Sequence, residues 1–206
     1  VLSEIANKID KKIPFTDSLG LAYFNKKKFI NNPRQEILDN LDILSPYDYS
    51  IFEPQTFLKK YKGTVYKGID YELSRGCIYS CAYCVETIIQ KYYDFNESSK
   101  KTGAIKNFKK YSRNKSAKMA FLEISNLNKN FDISLFRCQD TNFLTIDRNV
   151  LTELSELISE SNLDIKLYIE TRPEGINSES IKLLKKLKVD GVGMGVEASS
   201  ESFRQS

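Results

Sequence analysis

The chain has 206 residues, 41% of them hydrophobic and 28% charged, with a net charge of +4. That is enough for one ordinary domain or one and a half with a globular core, and it excludes a transmembrane span, because no apolar run approaches the required length. The positive balance is mild, so the clusters Lys26-Lys27-Lys28, Lys59-Lys60 and Lys185-Lys186 read as solvated faces and not as a nucleic-acid footprint.

Leu2, Ile5, Ala6 and Ile9 have helical spacing, which predicts the end of a helix. Residues 19–30 predict a hairpin: Leu19 to Phe24, a turn at Asn25 to Lys28, then Phe29-Ile30. Asn32-Pro33 breaks the pattern. Residues 41–61 are aromatic, punctuated by proline and poorly periodic, as expected for a linker packed on a neighbour. The chain starts with Val1 and stops just after a predicted strand and its loop, so we expect a fragment of a longer protein. We place 1–66 as the end of an upstream domain plus an irregular α+β linker, and 67–206 as an α/β domain.

The chemistry concentrates in Gly76-Cys77-Ile-Tyr-Ser-Cys81-Ala-Tyr83-Cys84, a C-x3-C-x2-C spacing. Thiolates are preferred ligands of iron–sulfur clusters. Three ligands on a four-iron cubane leave one iron open to a substrate or cofactor, as an open site does at a catalytic zinc. The same residues could form part of a zinc site completed by Cys138 or a carboxylate, or could be buried or disulfide-bonded thiols. With no histidine in the chain, a Cys3His site cannot be built from it alone. Three clustered cysteines and one distant one make a poor disulfide framework, no secretory segment is visible, and a reducing cytoplasm is expected. We favour the cluster.

Beyond the cysteines the pattern alternates helix and strand, predicting an α/β fold with parallel strands. Ser116–Leu127 is a predicted helix and Phe131–Cys138 a strand. Asp147 caps a helix with a stripe at Val150, Leu151, Leu154, Leu157 and Ile158, and Leu163–Glu170 is the next strand. Asn177 or Ser178 caps a helix through Leu187, and Gly191–Val196 is a glycine-rich strand. Active sites of parallel sheets gather at the C-terminal strand ends. Those ends read Gln139-Asp140-Thr141, Glu170-Thr171-Arg172 and Glu197-Ala198-Ser199. Their carboxylates can accept charge-assisted hydrogen bonds, and glycines 191, 193 and 195 would let a cofactor approach the backbone. Cys138 reads as a buried, inert thiol.

Cys77-x3-Cys81-x2-Cys84 with Tyr83 resembles the motif of the radical S-adenosylmethionine (radical SAM) superfamily. The resemblance implies a parallel (β/α) partial barrel, here with about four of six strands, and a [4Fe-4S] cluster held by Cys77, Cys81 and Cys84. It implies SAM on the open iron, cleaved to a 5′-deoxyadenosyl radical, with Tyr83 near the adenine. Phe136-x-x-x-Asp140-Thr141-x-Phe143 is similar to the family's second strand end, which contacts the SAM amino group. Glu170-x-Arg172 is similar to the third. Gly193-x-Gly195-Val196-Glu197-Ala198-Ser199 is similar to the fourth, near the SAM ribose, with Ala198-Ser199-Ser200 where Ser-Gly-Ser is commoner. Leu41-Asp42-Ile43-Leu44-Ser45-Pro46-Tyr47-Asp48 resembles the segment before the motif in members with an upstream cobalamin-binding domain. That subgroup implies cobalamin, but only for the full-length protein, because this chain has no histidine and so cannot carry the usual cobalamin motif. The resemblance further implies a small-molecule or biosynthetic-intermediate substrate, and an electron donor such as flavodoxin or ferredoxin. The activities it leaves open are methylation, cyclisation or rearrangement at an unactivated carbon, and methylthiolation of tRNA or protein. A zinc-stabilised, non-catalytic binding module is the alternative outside enzymes.

Overall fold

The computed structural model describes residues 1–95, 97–99, 103–195, 197 and 200. The chain divides into two compact units, Val1–Leu38 and Asp39–Ser206. In the first, helix α1 (Leu2–Asp10) precedes an antiparallel hairpin of β1 (Ala22–Asn25) and β2 (Lys28–Asn31). Phe24 and Phe29 meet across that hairpin with ring centroids 5.3 Å apart, the cross-strand aromatic contact that steadies a short ladder. The Asn32 side-chain amide ties the chain back by donating to the carbonyls of Thr16 (2.7 Å) and Ser18 (2.8 Å).

The second unit is built on a five-stranded, mostly parallel sheet. Its strands are β3 (Leu58–Tyr61), β4 (Thr64–Tyr71), β7 (Leu135–Cys138), β8 (Lys166–Glu170) and β9 (Val189–Gly193), adjacent in that order. Between β4 and β7 lie β5 (Ser74–Arg75), α2 (Val85–Tyr92), α3 (Phe108–Tyr111), β6 (Arg113–Asn114) and α4 (Ala117–Phe131). Helix α5 (Arg148–Glu160) joins β7 to β8, and α6 (Ser178–Lys186) joins β8 to β9. The strands β4, β7, β8 and β9 run parallel, in register Ile69↔Phe136 and Phe136↔Leu167, while β3 pairs antiparallel with β4.

Alternation along the strands separates two faces. Ile69, Phe136, Leu167 and Ile169 share the core face with Ile124, Leu151, Leu154, Ile158 and Leu184 from the helices, all buried. On the opposite face stand Asp70, Arg137 and Tyr168. Capping follows the side chains that favour it: Ser116 accepts from Met119 N–H, Asp147 from Asn149 N–H, and Asn177 from Glu179 and Ser180 N–H in a capping box. Asp42, from the proline-punctuated segment, accepts the Ser116 N–H at 2.8 Å, so that segment is anchored to the start of α4.

Several boundaries differ from the sequence reading. The strand predicted from Phe131 begins at Leu135, because α4 runs on to Phe131 and ends only where Asp132 turns left-handed (φ 57°). The last strand is Val189–Gly193 instead of 191–196, and Val196 lies outside the described residues. The fifth strand, β3, has no counterpart in the sequence reading. It is joined to β4 by Lys62-Gly63, both with positive φ (49° and 79°), the two-residue hairpin turn whose twist matches that of the strands. This hairpin runs through residue 66, inside the second unit.

The hairpin turn also closes the N-terminal ends of the sheet. Lys62 Nζ donates to Asp190 O and Oδ2 on the far edge strand, both at 2.9 Å, so the sheet curves enough to bring its edges together there. Tyr61 packs its ring against those of Tyr66 and Tyr168, each with centroids 6.1 Å apart. The expected role of Gly191 and Gly193 in admitting a cofactor is corrected here. A Cβ at Gly191 would strike the Tyr61 hydroxyl and one at Gly193 the Tyr168 hydroxyl, so the space beside both glycines is filled by tyrosines. Among the described residues no helix is long and apolar enough to cross a membrane.

Candidate functional site

The cysteine segment leaves the C-terminal end of β4, next to the ends of β7 and β8. All three thiols are half-buried and unbridged; Cys138, at the end of β7, is fully buried. Cys84 is the N-cap residue of α2, so the helix begins directly after the motif.

Side chains of α2 tie the loop down from one side. Glu86 accepts the Cys77 N–H at 3.1 Å, and Thr87 Oγ1 donates to Cys81 O at 2.7 Å. Gln90, buried, donates to the carbonyls of both Cys77 (2.9 Å) and Tyr79 (2.8 Å). Gly76 makes the entry turn at φ 87°, with its Cα face against Tyr111: a Cβ there would lie 2.5 Å from Tyr111 O.

From the other side the loop is laced by consecutive residues after β7. Asp140 is 1% exposed and its Oδ1 accepts from Leu73 N (3.0 Å), Ser74 N (2.6 Å) and Ser74 Oγ (2.5 Å). Thr141 Oγ1 donates to Gly76 O at 3.1 Å. Asn142 Oδ1 accepts from Thr171 Oγ1 at 2.7 Å, tying the ends of β7 and β8. Asp140 is thus placed as an internal clamp on the approach to the cysteines. Burial pushes its carboxyl up to about 6 against the opposing effect of the Ser74 and Leu73 donors.

The remaining candidates stand around the same rim. Tyr83 is 72% exposed, and its phenol is pushed up to about 12, first by the neighbouring Glu197 carboxylate. The structure therefore brings together two residues separated by more than half the chain, and Glu197 is itself held at a left-handed φ of 64°. Glu170 is exposed at the end of β8, paired in register with Gly193. Arg172 lies over the Tyr79 ring, 4.3 Å from its centroid, with Nη1 3.8 Å from Cys81 Sγ and Nη2 2.7 Å from Glu174 Oε1. Ser199 lies outside the described residues. Burial pushes the Cys77 thiol up, partly offset by the Tyr79 N–H.

Sequence reasoning missed Tyr79, Glu86, Gln90 and Asn142. The only signal for any of them is position: Glu86 and Gln90 are i, i+4 on the helix after the motif, and so share a face. Asn142 continues the polar run Gln139-Asp140-Thr141. Asp70, on the face away from the helices, accepts from Lys59 at 3.0 Å and Gln139 at 3.1 Å.

As placed, no three His, Cys, Asp or Glu side chains among the described residues form a group able to hold a metal ion. The fit of the cysteines to an iron–sulfur cluster therefore rests on the donor set: three unbridged thiols on one tethered loop. Two buried atoms on the tethers, Asp140 Oδ2 and Gln90 Oε1, lack a protein partner among the described residues. Such groups are ordinarily satisfied by water or a bound molecule.

No protein-family model matches the chain. An uncharacterized methyltransferase of Pyrococcus horikoshii, PH0819, is 23% identical over 200 residues, covering 96% of this chain and 38% of that protein. Among solved structures, the apo form of OxsB, a cobalamin-dependent S-adenosylmethionine radical enzyme, superposes with a TM-score of 0.65 at 15% identity, covering 99% of this chain and 27% of that one. OxsB with aqua-cobalamin and S-adenosylmethionine bound gives 0.58 at 14% identity, with 99% of this chain and 27% of that one covered. The chain thus shares the mixed α/β fold of that enzyme, with its five-stranded, mostly parallel sheet, and spans well under half the length of these proteins.

Proposed function

We propose that this chain is the cluster-bearing part of a radical SAM enzyme of the cobalamin-linked kind, and that its reaction is methyl transfer. The observation that carries this reading is the placement of three unbridged thiols, Cys77, Cys81 and Cys84, on a tethered loop at the C-terminal end of a parallel strand. The fold is shared with a cobalamin-dependent radical SAM enzyme, and the methyltransferase relative favours methylation over cyclisation or rearrangement.

In this reading Cys77, Cys81 and Cys84 bind a [4Fe-4S] cluster. When bound, the cluster and SAM supply the electron transfer and the methyl or radical chemistry; the protein supplies orientation and exclusion of side reactions. Asp140, Thr141, Glu86 and Gln90 hold the loop that carries the ligands. Tyr83 and Glu197 form one wall of the SAM site, with Thr141 and Glu170 on the neighbouring strand ends. Asp140 has no accessible oxygen for the SAM amino group in the arrangement seen and acts through the loop. The substrate is a small molecule or biosynthetic intermediate, cobalamin belongs to the full-length protein, and the reductant is a protein of the flavodoxin or ferredoxin type.

The test is anaerobic reconstitution of the intact natural protein with iron and sulfide, followed by electron paramagnetic resonance of the reduced protein with and without SAM. A [4Fe-4S] signal that changes on adding SAM, and is lost in Cys84→Ala, is the expected result. One zinc per chain in place of iron, or a cluster in the folded protein that is indifferent to SAM, overturns the reading and leaves a structural metal site.

A further inference from the structure

Arg172 stands among the candidate cofactor-binding residues, at a strand end where the resemblance implies a recurring arginine, but the guanidinium is engaged elsewhere. Nε and Nη2 donate to the Glu174 carboxylate at 3.3 and 2.7 Å, one face covers the Tyr79 ring at 4.3 Å, and Nη1 reaches Cys81 Sγ at 3.8 Å. Three neighbours thus fix a planar cation from three directions, which is the kind of site that suits arginine and not lysine.

The supports are themselves fixed. Tyr79 donates its backbone N–H toward Cys77 Sγ at 3.5 Å, its carbonyl receives the Gln90 amide at 2.8 Å, and it bridges to Ala104. The Arg172 backbone is held at an extended φ, ψ of −84°, 146° by the following Pro173 and the start of a 3-10 turn. Its N–H points at Asn142 Oδ1, 3.5 Å away. The arginine is placed from its backbone to its tip before anything binds.

We propose that Arg172 is a positioning residue for Cys81: its clamped guanidinium puts a fixed positive charge on the Cys81 sulfur and thereby raises the reduction potential of the cluster that Cys81 holds. This rests on the reading of Cys81 as a cluster ligand. Reduction adds negative charge to a cluster, and a nearby cation favours the more negative state. Charges and hydrogen bonds at the ligand sulfurs are among the established ways a protein sets such a potential. Glu174 works against the arginine, because its carboxylate cancels part of the same field. The two residues therefore carry opposite signs, and that opposition is what a purely structural role would not produce. Both are partly exposed, so salt screens the effect.

The experiment is a redox titration of the reconstituted intact protein at low ionic strength, with the reduced cluster followed by electron paramagnetic resonance. Iron and sulfide are counted in each sample. Arg172→Gln is expected to retain its iron and to lower the midpoint, so that the reduced fraction at a fixed potential falls several-fold. Glu174→Gln is expected to raise the midpoint. Arg172→Lys keeps the charge but loses the fork and falls between wild type and Arg172→Gln. Tyr79→Leu shifts the midpoint in the same direction as Arg172→Gln, by less. Unchanged midpoints in Arg172→Gln and Glu174→Gln, or shifts of the same sign, overturn the proposal while leaving the cluster reading intact. So does an Arg172→Gln protein whose midpoint is that of wild type but whose signal no longer responds to SAM, since that outcome assigns the arginine to SAM. If Arg172→Gln fails to hold iron, the Arg172→Lys and Glu174→Gln midpoints decide. A wild-type protein that takes up no cluster is a different failure, because it removes the functional reading itself and this inference with it.

Discussion

Asp140 Oδ1 accepts the Ser74 backbone N–H at 2.6 Å and the Leu73 N–H at 3.0 Å, so a carboxylate after one parallel strand holds the backbone that leads from its neighbour into the cysteine motif. Both amides are buried with it. Removing the acceptor leaves these two amides, and the Ser74 hydroxyl with them, without it, and an unsatisfied buried donor costs about 1–3 kcal/mol. At a pH below 3.8, where the carboxyl is neutral whether folded or unfolded, Asp140→Ala is therefore expected to lower stability by roughly 3 kcal/mol, read from denaturant midpoints. Hydrogen exchange at Leu73 and Ser74 should speed up selectively. Unchanged exchange at those two amides would show that the clamp is not what holds them.

The same carboxyl gives a pH dependence of known sign. Its value, about 6, lies above the ordinary 3.8 because burial disfavours the charged form. A raised carboxyl contributes stability that is fully present below 3.8 and is lost as the pH rises through about 6. The size is on the order of 2–3 kcal/mol. Unfolding of the cluster-free protein should therefore show wild type losing stability relative to Asp140→Asn across that window. A constant difference between the two would mean that the Ser74 and Leu73 donors, and not burial, set the charge state.

Two glycines with positive φ separate strain from space. A Cβ added at Gly63, in the β3–β4 turn at φ 79°, would meet nothing within 4 Å, whereas one added at Gly76, at φ 87°, would meet the Tyr111 carbonyl at 2.5 Å. Gly63→Ala should cost only the left-handed penalty, roughly 1–2 kcal/mol. Gly76→Ala adds a backbone clash that neither Tyr111 nor the cysteine segment can relieve alone, so its loss of stability should be the larger, with reduced iron retention after reconstitution. Equal midpoints for the two variants would show that Tyr111 yields freely.

What could be read from the sequence follows from the range over which each signal acts. The helices α4, α5 and α6 carry their own stripes and caps; Asp147 and Asn177 cap where expected, while Ser116, read as the first residue of a helix, is the cap of α4. The cysteine motif needs only its spacing. The strand β3 escapes a reading by pattern because Leu58-Lys-Lys-Tyr61 is half lysine and buried on neither side, though Lys62-Gly63 is a usable turn signal. Asp140 reads as facing a cofactor, because a polar strand end looks the same in sequence whether it points out or turns back under the neighbouring loop. Tyr83 with Glu197, and Arg172 with Cys81, are meetings across long stretches of chain that no local pattern encodes. Gly191 and Gly193 read as space for a ligand, and only the fold reveals that Tyr61 and Tyr168 fill it.

Lys115 and Glu123 form a buried ion pair at 2.6 Å, with side chains only 6% and 10% exposed, and Tyr71 donates its hydroxyl to the same carboxylate at 2.6 Å. Lys115 also lies 4.7 Å from the centre of the Tyr71 ring. Removing one partner strands the other charge away from water, which costs about 3–5 kcal/mol, whereas replacing both by apolar groups of similar volume is often nearly neutral. Lys115→Met alone should therefore be strongly destabilising, and adding Glu123→Leu should recover part of the loss. The recovery will be incomplete, because the double variant leaves the Tyr71 hydroxyl without its acceptor, at about 1–3 kcal/mol. Adding Tyr71→Phe should restore most of the remainder. Additive losses across Lys115→Met and Glu123→Leu in urea unfolding would show that the two charges are not coupled. Since Lys115 N also donates to Leu73 O at 2.8 Å, the same variants should be checked for iron retention: a loss there that tracks stability would mean that the pair supports the cysteine loop through the segment Asp140 clamps.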